Sequence, residues 1–205
     1  MFRRMTSLDI KHLDGTAPHQ HGVVWMNVPY TQASEQNAER YKVDVDRIAV
    51  WGDSSGGHVA LLTMVTDGVA GAPGVHDDES WGVRAVIDFY GPTDLALMPQ
   101  DEACVAVLGC IDPLKHPEAA VPAAATTYIR PASEQTLPPL LVMHGIDDDD
   151  VVPFEQSVVL GVAMAPAGHR MDLYQLDGAG HGAGAFFGEP VMDIVELFLK
   201  ESLDG

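Results

Sequence analysis

One segment constrains the chain more than any other: Ile48-Ala-Val-Trp-Gly-Asp-Ser-Ser-Gly-Gly-His58. Ile48 to Trp51 form a short apolar run, as a central strand of a parallel sheet requires. His58 to Val65 are apolar enough for a helix packed on that sheet. Between them, Gly52-Asp53-Ser54-Ser55-Gly56 fits G-x-S-x-G, in which a serine sits on a sharp strand-to-helix turn with its oxygen exposed. A Cβ at either glycine would collide with the turn or with the packed helix. Ser54 is therefore a candidate nucleophile. Taken alone, the pattern also arises as a plain glycine-rich joint; the strand before it and the helix after it are what distinguish this instance.

Two more reactive groups follow in the order acid, histidine. Leu140 to Gly145 is a second buried-strand run, and it ends in the acidic cluster Asp147-Asp148-Asp149-Asp150. Val151-Val-Pro-Phe154 then opens a helix, with Pro153 suited to its first turn. Met171 to Leu176 alternates like a strand and runs into Asp177-Gly-Ala-Gly-His-Gly182, a flexible loop with His181 at its tip. Each strand thus carries a reactive residue just beyond its carboxyl end, the edge at which open α/β sheets bind ligands.

These segments resemble the α/β-hydrolases, in the esterase/lipase and prolyl-oligopeptidase-like branch. Gly52 to His58 resembles that branch's GDSAGGH elbow, and His144 to Pro153 its HGxxDDxVVP segment. Gly178 to Gly182 resembles its final GxGHG loop, and Phe89 to Asp94 its YGPxD turn. The resemblance covers about residues 38–203, with four motifs in order. It implies a mostly parallel sheet flanked by helices, in one domain spanning 1–205, with 95–138 as a cap-like insertion over the pocket. It also implies a serine hydrolase that cleaves small carboxylic esters and needs no cofactor. Prolyl-oligopeptidase-like peptidases share the motifs but usually carry a large N-terminal gating domain, so esterase leads.

The roles follow from elementary chemistry. A neutral serine hydroxyl is a weak nucleophile and needs a base within hydrogen-bond reach. His181 would take the proton of Ser54, and a carboxylate would fix the imidazole tautomer and stabilise the imidazolium. Counting forward from His144-Gly145 the resemblance points to Asp148; counting back from Pro153 it points to Asp149. Asp148 is favoured and Asp149 stands as the alternative. Adjacent like charges cannot all be buried, so the remaining acids of the run are expected in solvent. Four consecutive aspartates cannot converge on one calcium ion, and no D-x-D-x-D-G pattern is present.

The backbone N–H of Ser55 is expected to be one oxyanion donor. The usual source of the second, a glycine-rich loop earlier in the chain, has no counterpart; His21-Gly22 is the nearest fragment. Only 53 residues precede Ser54, fewer than the resembling enzymes commonly have, so their N-terminal strands are expected to be reduced or missing. His21 to Tyr30 reads as a remnant strand, Gln36 to Ile48 as a helix end and turn leading into the elbow strand, and residues 1–20 resemble nothing. Losing one oxyanion donor costs on the order of 10²–10³ in rate. The alternative of a different class is therefore a catalytically weak or inactive relative, or a truncated fragment, that binds a ligand or partner. A sheet stripped of strands would expose an edge, for which homodimerisation or aggregation is expected.

Composition excludes several classes. Thirty acidic against 11 basic residues give a formal net charge of −19, which repels nucleic-acid phosphates and anionic membranes. No apolar run approaches the roughly 20 residues of a membrane span. No h-region follows Met1 to Met5, so a cytoplasmic protein with free thiols at Cys104 and Cys110 is expected. The other histidines match no zinc spacing, so no metal is expected; His58 reads as a packing or hydrogen-bonding residue, and His144, capping a strand, as structural. In 95–138 the apolar Leu95, Leu97, Met98, Val105, Val107 and Leu108 either line an acyl site or form ordinary core. Val191, Ile194, Val195, Phe198 and Leu199 recur at helical spacing in a last helix opened by Glu189 and Pro190.

Overall fold

Short apolar runs that alternate large side chains between two faces need cover on both, and helices supply it. The computed structural model describes residues 10–12, 44, 46–69, 82–98, 108 and 112–204. The elements are β1 (Ile10–His12), β2 (Ile48–Asp53), α1 (Ser55–Thr66), β3 (Val83–Phe89), β4 (Leu140–Gly145), α2 (Glu155–Ala167), β5 (Met171–Leu176) and α3 (Glu189–Leu203). All described strands are parallel, in the order β1-β5-β4-β3-β2. The expected helix-flanked parallel sheet is therefore present. Within the unplaced residues 1–20, β1 pairs Ile10 with Leu173 and His12 with Gln175. Three residues carry too little pattern to announce a strand. The expected strand at 21–30, both cysteines, Val105, Val107, His19, His21 and His76 lie outside the described residues.

Strand parity sorts the core. Ala85, Ile87, Phe89, Leu141 and Met143 face Phe186 and the α3 residues Val191, Val195 and Phe198. Val86, Leu140, Val142 and Leu173 face Ala60, Leu61, Met64 and Val65 of α1 and Leu160 and Met164 of α2. Each fully buried Leu, Met or Phe side chain contributes about 1.5–3 kcal/mol of transfer free energy, so both helical layers are held chiefly by packing. The same parity places two polar side chains, Asp88 and His144, on the α1/α2 face, and both are fully buried. Among the described helices none is long and apolar enough to cross a membrane.

The elements meet the sequence reading with small shifts. Pro153 lies before α2, in the turn that Gln156 N–H closes on its carbonyl at 2.9 Å. The helix starts at Glu155 and runs to Ala167, ending on left-handed Gly168. In 95–138 the described helical pieces are single 3₁₀ turns, at Leu95–Leu97, Pro117–Ala119, Val121–Ala123 and Ala125–Tyr128. Leu95, Met98 and Leu108 pack with Ala120 and Val152 in a small core of their own, whereas Leu97 is exposed. For those three residues the ordinary-core alternative is the one realised.

The strand-to-helix turn is built on contact between backbones. A Cβ on Gly52 would stand 2.1 Å from the carbonyl carbon and oxygen of Gly56, whereas the clash expected at Gly56 is absent, its nearest neighbour being Asp53 Oδ1 at 3.9 Å. Gly52→Ala is therefore expected to force the strand and helix apart and to cost about 3 kcal/mol or more. A drop in melting temperature of roughly 6–12 °C would follow for a domain of this size; an unchanged melting curve would contradict the close approach.

Asp88 supplies a second prediction. Its Oδ1 accepts from Gly91 N–H at 2.9 Å, while Oδ2 has no hydrogen-bond partner. Burial raises its pKa from 3.8 to about 7, against the opposing pull of His144 and the Gly91 N–H. Between those values the native carboxyl holds a proton that the unfolded one has lost, so this group makes stability fall as pH rises through the window. Asp88→Asn keeps the acceptor and removes the titration. The variant should gain on the parent by up to about 1.4 kcal/mol per pH unit across that window. Urea unfolding at about pH 5 and about pH 8 measures it; a constant difference would contradict it.

Candidate active site

Ser54 follows β2 at φ 52°, ψ −121°. A side chain at positive φ costs on the order of 1–3 kcal/mol. Serine is also a favoured helix N-cap residue, worth about 1 kcal/mol, yet Ser54 makes no side-chain capping bond to α1. The turn is fixed instead through the main chain. Ser54 N–H donates to the Phe89 carbonyl at 2.8 Å, and Ser54 C=O accepts from His58 N–H at 3.1 Å. The hydroxyl, turned away from the helix, lies 2.9 Å from Nε2 of His181. Ser55 opens α1, so its N–H belongs to the first-turn donors that no intrahelical acceptor takes.

His181 and Asp148 come from two loops joined by their backbones. Ile146 N–H donates to Leu176 C=O, and Asp147 N–H to Ala179 C=O, each at 3.1 Å. A Cβ on Gly145 would stand 2.1 Å from that Ala179 oxygen, so glycine at the end of β4 lets the loops touch. Asp148 Oδ2 then lies 2.7 Å from His181 Nδ1, and Oδ1 accepts from Val152 N–H at 3.0 Å. Asp149 is exposed, as are Asp147 and Asp150, whereas Asp148 is 2% exposed. Of the two acids that counting left open, Asp148 is the one in contact with His181. Burial pushes its carboxyl up, but the nearby His144 ring and the hydrogen bonds from Val152 and His181 outweigh that and hold it below the usual carboxylate range. Since a carboxylate only accepts, His181 carries its proton on Nδ1 and offers Nε2 to the serine hydroxyl. The three groups can therefore pass a proton from Ser54 to an imidazole whose resulting charge is neutralised by Asp148.

Two residues beside them were not singled out from the sequence. Tyr90, also at positive φ (45°), packs its ring edge-on to His181 at 4.9 Å. Its hydroxyl donates to Asp53 Oδ2 at 3.4 Å. Burial, with the nearby Asp53, pushes the phenol up to about 12, so it remains a donor at neutral pH. Gln156, 2% exposed, clamps the turn after β3: its Oε1 accepts from Thr93 and Asp94 N–H, both at 2.8 Å. The Tyr-Gly-Pro motif signalled Tyr90; nothing in the sequence signalled Gln156. His58, expected to hydrogen-bond or pack, donates from Nδ1 to the Pro92 carbonyl at 2.8 Å. Burial lowers its pKa, partly offset by that bond.

The chain is similar to solved esterase structures. A truncated form of a carbohydrate esterase from gut microbiota is 31% identical, with a TM-score of 0.68, over 82% of this chain and 64% of that one. Esterase 2 of Thermogutta terrifontis, phosphonylated by sarin, is 29% identical, with a TM-score of 0.61, over 81% of this chain and 60% of that one. A bifunctional GH43-CE protein of Bacteroides eggerthii is 29% identical, with a TM-score of 0.66, over 82% of this chain and 25% of that one. This chain thus spans less than two thirds of the length of each. No curated protein matches it. The family model described as BD-FAE matches residues 28–164, more than half of the 205 residues; the chain belongs to this α/β-hydrolase family.

Proposed function

We propose that the chain is a serine esterase that hydrolyses small carboxylic esters through an acyl-serine intermediate. The observation that carries this reading is the Ser54–His181–Asp148 relay, with contacts of 2.9 and 2.7 Å on a backbone turn that keeps the hydroxyl off the helix. Ser54 Oγ attacks the ester carbonyl carbon while its proton passes to His181 Nε2. Asp148 stabilises the imidazolium. Negative charge develops on the carbonyl oxygen beside the start of α1, where the Ser55 N–H and the helix dipole favour it. Collapse breaks the bond to the alkoxy oxygen, which takes the proton from His181 and leaves as alcohol. Water then attacks the acyl carbon, again giving its proton to His181. The acid departs, and Ser54 recovers its proton.

Neighbours named as esterases support ester over peptide substrates. One is named a carbohydrate esterase, so acylated sugars belong among the substrates to test.

Hydrolysis of a short-chain p-nitrophenyl ester tests the reading. Ser54→Ala should lower kcat/KM by about 10⁴-fold or to background, and Asp148→Asn by roughly 10³–10⁴-fold through loss of the productive tautomer. Asp149→Asn, a change in solvent, should stay within about twofold of the parent. Equal rates for the folded parent and Ser54→Ala would overturn the assignment, and equal losses in the two aspartate variants would overturn the role of Asp148.

A further inference from the structure

We propose that His144 is a positioning residue for Asp148, a second histidine on the far side of the carboxylate from Ser54; this rests on the esterase reading above and deepens it. His144 is fully buried at the penultimate position of β4, and both of its ring nitrogens have partners. Nε2 lies 2.8 Å from the Val152 carbonyl and Nδ1 lies 2.7 Å from Ser157 Oγ. A carbonyl only accepts, so Nε2 carries the proton; Nδ1 of the neutral ring then accepts from the Ser157 hydroxyl.

The consequence lies one bond further on. Val152, whose carbonyl His144 holds, is also the residue whose N–H donates to Asp148 Oδ1 at 3.0 Å. His144 therefore holds in place the residue whose N–H orients the carboxylate. Its Nε2 also stands 3.6 Å from Asp148 Oδ2, the oxygen bound by His181. That is too long for a strong hydrogen bond but close enough for the N–H dipole to act on a carboxylate shielded from water. Ser157, 1% exposed on the first turn of α2, fixes the ring from the other side.

A space-filling role would need neither nitrogen. An apolar replacement would pack against Phe154, whose ring lies 5.5 Å away, but would strip the buried Val152 carbonyl of its donor. The geometry separates the two roles because amide side chains mimic one ring nitrogen each. Glutamine places an N–H donor near the Nε2 position; asparagine reaches only the Nδ1 position.

The test compares the parent chain with His144→Gln, His144→Asn and Ser157→Ala. The readouts are thermal melting, kcat and KM for the p-nitrophenyl ester, and the low-field proton resonance of the His181–Asp148 hydrogen bond. His144→Asn should lose about 10–100-fold in kcat, the scale of a misplaced catalytic group, with KM within about twofold. Its low-field resonance should move upfield or vanish. His144→Gln should recover at least about a third of the parent kcat and keep the resonance. Equal losses in both amide variants, or parent-like kcat and resonance in His144→Asn, would overturn the proposal. Should neither amide variant fold, Ser157→Ala decides: a weakened resonance and a fall of roughly 3–10-fold in kcat support the proposal, and parent values for both overturn it. The resonance is read without turnover. A parent that fails to cleave the ester therefore refutes the esterase reading, while the resonance still judges the role of His144.

Discussion

Everything at the site follows from one steric fact: the backbone of Gly52 lies against the backbone of Gly56 with no room for a Cβ between them. A strand that must turn into a helix within so little space forces the intervening residue to positive φ, and that residue is Ser54. The strain and the forgone cap together cost a few kcal/mol. The buried Leu61, Met64 and Val65 of α1 offset it, since each contributes on the order of 2 kcal/mol. The hydroxyl is thereby directed to an imidazole rather than to the amides of its own helix.

The partner groups depend on a comparable contact between loops. Asp148 and His181 are 33 residues apart and follow neighbouring strands. Parallel pairing of β4 with β5 brings the two loops to the same edge, and Gly145 lets them touch through the Ala179 carbonyl. Once the loops are joined, Asp148 is shielded from water, where an unpaired carboxylate would be costly. Its donors come from Val152 and His181, so the carboxylate stays ionised and aimed. α2 binds both sides of this edge, holding the turn after β3 through Gln156 and β4 through Ser157.

Much of this was legible in the sequence because it is local. The elbow, β4, β5 and α3 are specified by short-range pattern, and their boundaries match the reading within a few residues. Four points were not. Counting along Asp147 to Asp150 favoured Asp148 but left Asp149 open, because the choice depends on which carboxylate meets Val152 N–H and His181 in space. The roles of Gln156 and Ser157 were invisible because their partners, Thr93, Asp94 and His144, are 13 or more residues away. Leu95, Met98 and Leu108 carried equal signals for core and for pocket wall; their packing on Ala120 and Val152 is a tertiary property. β1 was missed because three residues, paired to a strand more than 150 positions away, leave no periodicity to read.

The central claim is that the strained turn presents Ser54 as a nucleophile activated by His181. Incubation of the folded chain with a fluorophosphonate, followed by peptide mass spectrometry, tests it without any assumption about the natural ester. The account predicts one stoichiometric adduct on Ser54, lost in His181→Ala. A folded chain that takes up no adduct, or takes it up at another residue, would contradict it.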